Sequence, residues 1–139
     1  MMLDQSIQML RAAKSRLLQL CGEVPSKVVF LQGDILNLPF LAGSFSSVIS
    51  LSVLHVIEDA HAMIGELWKV LAGVGKLSLT SLVLGRPLGD MYLRFLHRSG
   101  GVSSPRESSQ VLTIFSEMGI PTDHYNRGNM LFIHSERSQ

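Results

Sequence analysis

The sequence predicts an α/β fold whose sheet is mostly parallel and ends in an antiparallel hairpin. Strand-like apolar runs alternate with amphipathic helical patterns, in the order helix, strand, strand, helix, strand, helix, helix, hairpin. The run Lys27–Leu31 is continuously apolar after its lysine, which is typical of a strand covered on both faces, as in a parallel sheet. The 139 residues fit a single domain, 1–139, of common size.

The composition indicates a globular protein of a reducing compartment. Hydrophobic residues make up 46% and charged residues 17%, and the net charge of +1 argues against a general nucleic-acid or membrane binder. No apolar run approaches the roughly 18–20 residues that span a bilayer, and the start MMLDQS lacks the basic region of a secretory signal. The single cysteine, Cys21, excludes an intramolecular disulfide, and its helical context predicts burial. We therefore expect a cytoplasmic protein.

The first half of the chain contains a helix followed by two strands. Apolar residues recur at helical spacing over 7–20, with Ser6 as a plausible N-cap and Gly22 ending the helix. The next elements are the strand Lys27–Leu31 and a second strand, Ser47–Leu51.

A second helix and a third strand follow. Asp59 is placed to cap a helix over 60–71, and Gly73-Val74-Gly75 is expected to break it. Lys76–Val83 is typical of a strand, and Pro87–His97 has the pattern of an amphipathic helix.

The C-terminal part begins with a strong helix-start signal. Ser104 can cap, Pro105 suits the first helical position, and Glu107 can complete a capping box. That helix is predicted to reach Met118, with Gly119 in the left-handed position after it.

The tail predicts a hairpin, because the runs Thr122–Tyr125 and Met130–His134 flank the turn sequence Asn126-Arg127-Gly128-Asn129. Three histidines in this half have no partners at metal-ligand spacing, so no metal site is predicted; they are His97, His124 and His134.

Polar groups lie at the carboxyl ends of the predicted strands, and a parallel sheet binds its ligands at this edge. Asp4 precedes the first helix, Asp34 follows one strand, and the segment Ser50–His55 follows the next. Each aspartate taken alone is better explained as a turn or cap residue. The apolar sequence Leu38-Pro39-Phe40 after Asp34 is unusual for a surface turn and would suit a flat, mostly apolar ligand with one polar edge, although packing of the following loop explains these three residues better.

Three stretches give a more specific indication: "LDQSIQMLRAAKSRL", "VVFLQGDILNLPFLAGSF" and "VISLSVLHVIEDAHAMIGELWKVL". In order and spacing they resemble the class I S-adenosylmethionine-dependent methyltransferases, most closely the type 11 group of mostly small-molecule enzymes. The resemblance runs from Leu3 to about Val83 and continues weakly beyond. It implies a Rossmann-like methyltransferase fold and S-adenosyl-L-methionine as the cofactor.

The resemblance also assigns cofactor contacts. Asp4 takes the position of the acid that holds the ribose diol, and Asp34, within the pair Gly33-Asp34, takes that of the acid that receives the adenine amine. Ile35 would lie beside the adenine ring. The backbone of Ser50 and Leu51 would approach the methionine part.

Two further roles concern the methyl acceptor. His55 is the candidate base if the reaction needs one, although packing or capping explains it equally well. The region 82–99 forms a cover over the site in similar enzymes, where Tyr92 and Phe95 would line the substrate. Arg94, or its neighbours Arg86 and Arg98, would meet an anionic group. The alternative is a surface helix with solvated arginines and core aromatics.

The sequence departs from the family pattern at its start. The G-x-G-x-G loop that follows the first strand is absent, so the fold is expected to be N-terminally truncated and the domain partial. The missing strand normally lies in the middle of the sheet, and its loss exposes backbone edges that proteins usually cover. This predicts a homodimer or a complementing chain. Ser46 also replaces the usual acid at the start of the next strand.

Three functions remain open at this point. The first is methyl transfer to a small molecule. The second is a non-catalytic methyltransferase-like domain that works through self-association or a partner chain. The third is an unrelated nucleotide-binding α/β domain, because aspartates at strand ends do not distinguish cofactors.

Overall fold

A computed structural model describes residues 1–138 and divides the chain into two units, Met1–Pro39 and the part from Phe40 onward. The first unit contains β1 (Met2–Asp4), α1 (Ile7–Cys21) and β2 (Phe30–Gln32). Its two strands are parallel. The strand β2 begins later than predicted because Val28 N–H donates to Pro25 O at 2.9 Å and closes a turn there.

The helix α1 starts as predicted, but fewer of its apolar side chains are buried than predicted. Ser6 Oγ accepts from Met9 N–H at 3.3 Å, which confirms the N-cap. Leu10 is the buried residue of α1, whereas Cys21 is exposed. The expectation that Cys21 is buried was therefore wrong. Two strands of three residues each offer too little surface to cover all the apolar positions of a fifteen-residue helix.

The second unit is built on a four-stranded mixed sheet. Its strands lie in the order β3-β4-β6-β5, with β3 and β4 parallel and the other neighbours antiparallel. The elements are β3 (Phe45–Leu51), α2 (Ala60–Val70), β4 (Leu71–Leu82), α3 (Pro87–Arg98), α4 (Ser108–Glu117), β5 (Asp123–Arg127) and β6 (Met130–Glu136). The parallel strands and the terminal hairpin are those expected of the predicted α/β class. Within residues 1–138 no helix is long and apolar enough to cross a bilayer.

One face of this sheet forms the core with α2 and α4. Alternate residues of β4 and β6 are buried, as the period of a strand requires, and the facing helix residues are buried with them. The set comprises Leu77, Leu79, Leu131, Ile133, Met63, Ile64, Leu67, Val111 and Phe115.

The segment Gly73-Val74-Gly75 is a bulge within a strand and does not end α2, which stops before it at Val70. The strand β4 already begins at Leu71, and its register shifts between the pairs Phe45–Leu71 and Ser47–Lys76. Gly75 fits this bulge because a Cβ there would lie 2.7 Å from Leu71 Cγ.

The last helix starts three residues later than predicted. Glu107, not Ser104, is its N-cap, and Gln110 Oε1 accepts from Glu107 N–H at 2.8 Å. The earlier start was wrong because Glu107 pairs with Leu84 in a parallel bridge, which keeps that segment extended. Gly119, with φ +66°, occupies the left-handed position as predicted.

Candidate functional site

In the first unit, the predicted adenosine residues lie together at one end of the two strands. Asp4 is opposite Gln32 in the parallel register, and Gly33 N–H donates to Asp4 O at 3.2 Å. This pairing places Gly33 and Asp34 directly beside Asp4. The half-buried Ile35 follows in the chain.

Each of the two aspartates uses one carboxylate oxygen for its own turn. Asp4 Oδ1 accepts from Ser6 N–H at 2.7 Å, and Asp34 Oδ1 accepts from Leu36 N–H at 2.9 Å. Within residues 1–138 the second oxygen of each carboxylate has no protein partner. Each aspartate therefore shapes a turn, as the alternative expected, and also has one carboxylate oxygen without a partner among residues 1–138. The contact of either aspartate with a cofactor stays a prediction.

In the second unit, the groups available to a ligand at the carboxyl ends of β3 and β4 are mainly backbone atoms. The Ser50 side chain is 5% exposed and its hydroxyl has no partner among the described residues, whereas Leu51 is 64% exposed. Ser52 adopts φ +57°, an uncommon conformation for a residue with a side chain, and its N–H donates to Thr80 Oγ1 at 2.9 Å. A ligand at this edge would meet the backbone and the Leu51 side chain, not the Ser50 hydroxyl.

His55 is held between the loop after β3 and the end of β4. Its Nδ1 accepts from Leu82 N–H at 3.3 Å, and its carbonyl oxygen accepts from Ser103 N–H and Oγ, each at 3.0 Å. Burial lowers the pKa of His55 below its usual value. The neutral ring with Nδ1 as acceptor carries its proton on Nε2, so that nitrogen is a donor. The geometry supports a positioning role, and the base role stays a prediction.

Arg106 organises the same loop, and sequence reasoning missed it. Its guanidinium donates to Glu58 O at 2.7 Å, to Ile57 O at 3.3 Å and to Leu54 O at 3.5 Å. Arg106 O in turn accepts from Leu84 N–H at 2.9 Å, just after β4. The only signal in the sequence was an arginine inside a capping motif, which does not reveal these distant partners.

The predicted substrate residues lie on α3 and are exposed. Tyr92 is 57% and Phe95 65% exposed, so the alternative of core aromatics on a surface helix was wrong. Arg94 is also exposed and lies near Asp90, whose pKa is lowered mainly by the N–H of Gly85, with a smaller contribution from Arg94. Within residues 1–138, no group of three His, Cys, Asp or Glu side chains is close enough to hold a metal ion.

Similar solved structures confirm the fold. An S-adenosylmethionine-dependent methyltransferase from Thermotoga maritima superposes with a TM-score of 0.75 at 16% identity, covering 98% of this chain and 72% of its own. The protein bound to the Trm112 methyltransferase activator of Haloferax volcanii gives 0.80 at 14%, covering 99% and 71%. Geranyl diphosphate C-methyltransferase from Streptomyces coelicolor, solved with Mg²⁺, geranyl diphosphate and S-adenosyl-L-homocysteine, gives 0.76 at 11%, covering 97% and 63%. These likenesses establish a Rossmann-like methyltransferase fold.

The sequence itself establishes the family. Among curated proteins no match is found. The profile of the type 11 family, described as "Methyltransferase domain", matches residues 1–79, more than half of the chain. This match includes both aspartates of the first unit and the loop after β3, which are the elements on which the resemblance in the sequence rests. The chain belongs to the methyltransferase domain family.

Proposed function

We propose that the chain binds S-adenosyl-L-methionine and transfers its methyl group to a small molecule. The observation that carries this proposal is the pair of carboxylate oxygens, one on Asp4 and one on Asp34, that have no partner among residues 1–138. A ribose diol and an exocyclic amine are donors, and such acceptors suit both.

The first unit fits the adenosine part of the cofactor. Asp4 would accept from the ribose hydroxyls and Asp34 from the adenine amine, with Ile35 against the ring. Gly33 is suited to its position because a Cβ there would lie 3.2 Å from Leu3 Cδ1. In the second unit, the backbone of Ser50 and Leu51 remains our proposal for contact with the methionine part.

The bound cofactor would supply the reactive sulfonium carbon, so the chain has to orient the acceptor and exclude water. Tyr92 and Phe95 would line an apolar acceptor, and Arg94 would meet an anionic group on it. His55 is the side chain we propose near the reacting atoms, through its Nε2. The neutral ring carries its proton on Nε2, so this nitrogen can donate a hydrogen bond to an oxygen of the methyl acceptor. In this tautomer Nε2 cannot take a proton from the acceptor, so we propose an orienting role first.

We also infer that another chain, either a second copy or a complementing chain, covers the outer edge of β3. Among the described strands β3 pairs only with β4, and Ile49 is 66% exposed on it. Unpaired edges are usually covered, and one neighbour of similar fold is solved with an activator protein. Light scattering should show a dimer that Ile49→Lys weakens. Val74→Lys, at a site that is at least as exposed, should leave the dimer unchanged. A monomer at all concentrations would leave only the complementing chain.

We place this activity in the cytoplasm, and the exposed free thiol of Cys21 supports that compartment. Exposed thiols are readily oxidised outside reducing compartments, where cysteines are usually paired.

Isothermal calorimetry with S-adenosyl-L-methionine and S-adenosyl-L-homocysteine tests the cofactor site. Asp34→Asn is the sharpest variant, because asparagine still accepts from Leu36 N–H but loses the charge and one acceptor. We expect binding to weaken about 10- to 100-fold, the worth of one hydrogen bond to a charged group. Asp123→Asn, at an exposed aspartate of β5, is the matched control and should bind like the unmodified chain.

Three outcomes would contradict the proposal. If the folded chain binds neither ligand, the non-catalytic alternative replaces it. If Asp34→Asn binds as tightly as Asp123→Asn, the adenine amine is held elsewhere. Tighter binding of ATP or NAD than of S-adenosyl-L-methionine would assign a different cofactor to the same aspartates.

A further inference from the structure

The helix α3 exposes a continuous apolar stripe to solvent. Its residues lie three and four positions apart and therefore share one side of the helix. They are Leu88, 80% exposed, Met91, 65%, Tyr92, 57%, and Phe95, 65%. On another side of the same helix Leu93 is only 2% exposed and packs inward. The helix thus has one apolar side in the core and a second one that nothing in this unit covers.

This exposure is a property of a fixed helix. Near its start, Asp90 Oδ1 accepts from Gly85 N–H and from Asn129 Nδ2, both at 2.8 Å. After its end, Gly101 N–H donates to Leu96 O at 2.9 Å. The bond from Asn129 ties α3 to the turn between β5 and β6, so the stripe cannot rotate inward without breaking it. The other two bonds close the ends of the helix.

The flank of the stripe is cationic. Arg94 and Arg98 line the same open groove of about 630 Å³ as Met91 and Phe95, and the exposed Arg86 lies at the N-cap of the helix. Asp90 is the only acid of α3. Its single negative charge offsets part of this side, but three arginines, Arg86, Arg94 and Arg98, still outnumber it.

We propose that α3 docks on the surface of an anionic lipid membrane. Where this rests on the proposed function, Tyr92 and Phe95 would meet the methyl acceptor at that surface. An exposed apolar stripe beside arginines fits the boundary between acyl chains and headgroups, where the apolar side chains leave water and the guanidinium groups meet phosphates. A net charge of +1 does not predict this, because only the local charge near the surface counts. The cytoplasmic leaflet, which is anionic, is the fitting surface.

A second copy is a poorer occupant for two reasons. The stripe offers on the order of 500 Å², since a large exposed side chain contributes up to about 150–250 Å², and a stable interface needs about 800 Å² per partner. In a two-fold dimer the same patch would meet itself. Arg94 and Arg98 of one copy would then face the same arginines of the other, with only one α3 carboxylate, Asp90, per copy to offset them.

Vesicle flotation of the full chain, without cofactor, tests the docking independently of methyl transfer. We expect binding to vesicles of phosphatidylcholine with phosphatidylglycerol, at least about tenfold weaker binding to pure phosphatidylcholine, and release by salt. Leu88→Gln should weaken binding about tenfold and Arg98→Gln about fivefold. The matched controls are Leu41→Gln, at a leucine that is 83% exposed outside α3, and Arg127→Gln in β5.

Four results would overturn the proposal. The first is equal binding to neutral and anionic vesicles, and the second is equal loss in the controls. The third is a dimer, seen by light scattering without vesicles, that Leu88→Gln dissolves, since a second copy would then cover the stripe. The fourth is binding of dodecyl phosphate below its micellar concentration without binding to vesicles, which would assign the stripe to a soluble amphiphile.

Discussion

Replacing Arg106 with alanine should loosen the loop that follows β3. The guanidinium of Arg106 donates to three carbonyl oxygens of that loop, those of Leu54, Ile57 and Glu58. Leu54 is fully buried, so the loop is attached to the core at that residue. Removing the guanidinium leaves these carbonyls without their charged donor, and the loop also carries the positive φ of Ser52.

The distances decide the magnitude. The bond to Glu58 O, at 2.7 Å, is short enough for a full charge-assisted hydrogen bond, whereas the bonds at 3.3 and 3.5 Å are long. Counting about 2 kcal/mol for the short bond and about 0.5 kcal/mol for each carbonyl bonded at long range gives a loss of about 3 kcal/mol. For a chain of this length that corresponds to a drop in Tm of about 10 °C. Arg106→Lys should lose less, because an ammonium group can still reach one carbonyl.

Thermal unfolding measures the loss, and amide hydrogen exchange locates it. Exchange should accelerate at residues 52–58 and stay unchanged in the hairpin β5–β6. The control is Arg127→Ala, which removes an exposed arginine of β5. If Arg106→Ala lowers Tm no more than Arg127→Ala, or if exchange at 52–58 does not change, other contacts hold the loop and the reasoning fails.

Three further changes test single features of the second unit. Gly89→Ala should lower the free energy of unfolding by about 1–2 kcal/mol, because its Cβ would lie 2.1 Å from Asn129 Oδ1. Gly65→Ala, whose Cβ would make only ordinary contacts, should raise it by up to about 1 kcal/mol. Urea unfolding measures both. Because burial lowers the pKa of His55, its contribution to stability is present above the usual pKa of 6.5 and is lost as pH falls through the lowered value. His55→Asn, which keeps an acceptor in place of Nδ1, should flatten that pH dependence of Tm, and an unchanged slope would assign it to another group. Ser135→Ala should raise stability by about 1 kcal/mol in the same urea titrations, because the buried hydroxyl has no partner among the described residues, and a loss would reveal one.

Features that depend on neighbours in the chain could be predicted from the sequence. Ser6 caps α1, and Asp59 Oδ1 accepts from Ala62 N–H at 2.9 Å at the start of α2, both as expected. Gly119 ends α4 in the left-handed conformation. Each of these is decided by hydrogen bonds within one turn, so the local sequence contains all the information.

Features that depend on distant partners could not be predicted. The role of Arg106 could not be predicted, because its acceptors lie about fifty residues away in the chain. The later start of α4 has the same cause, since Leu84 pairs with Glu107 across the second unit. The predicted burial of Cys21 was wrong for a related reason. Periodicity identified the apolar side of α1, but it could not show that the two short strands beside α1 cover only part of that side.

The helix α3 shows the same limit, with a functional consequence. Its sequence has two apolar sides and one basic side, and periodicity alone favours aromatic residues in the core. The structure buries Leu93 instead and leaves Phe95 exposed, because Asp90 and Asn129 fix the rotation of the helix. Two hydrogen-bonding side chains therefore determine which apolar side is available for binding. The variant Asn129→Ala should for this reason weaken vesicle binding although Asn129 lies outside the stripe, and undiminished binding would show that packing of Leu93 alone sets the rotation.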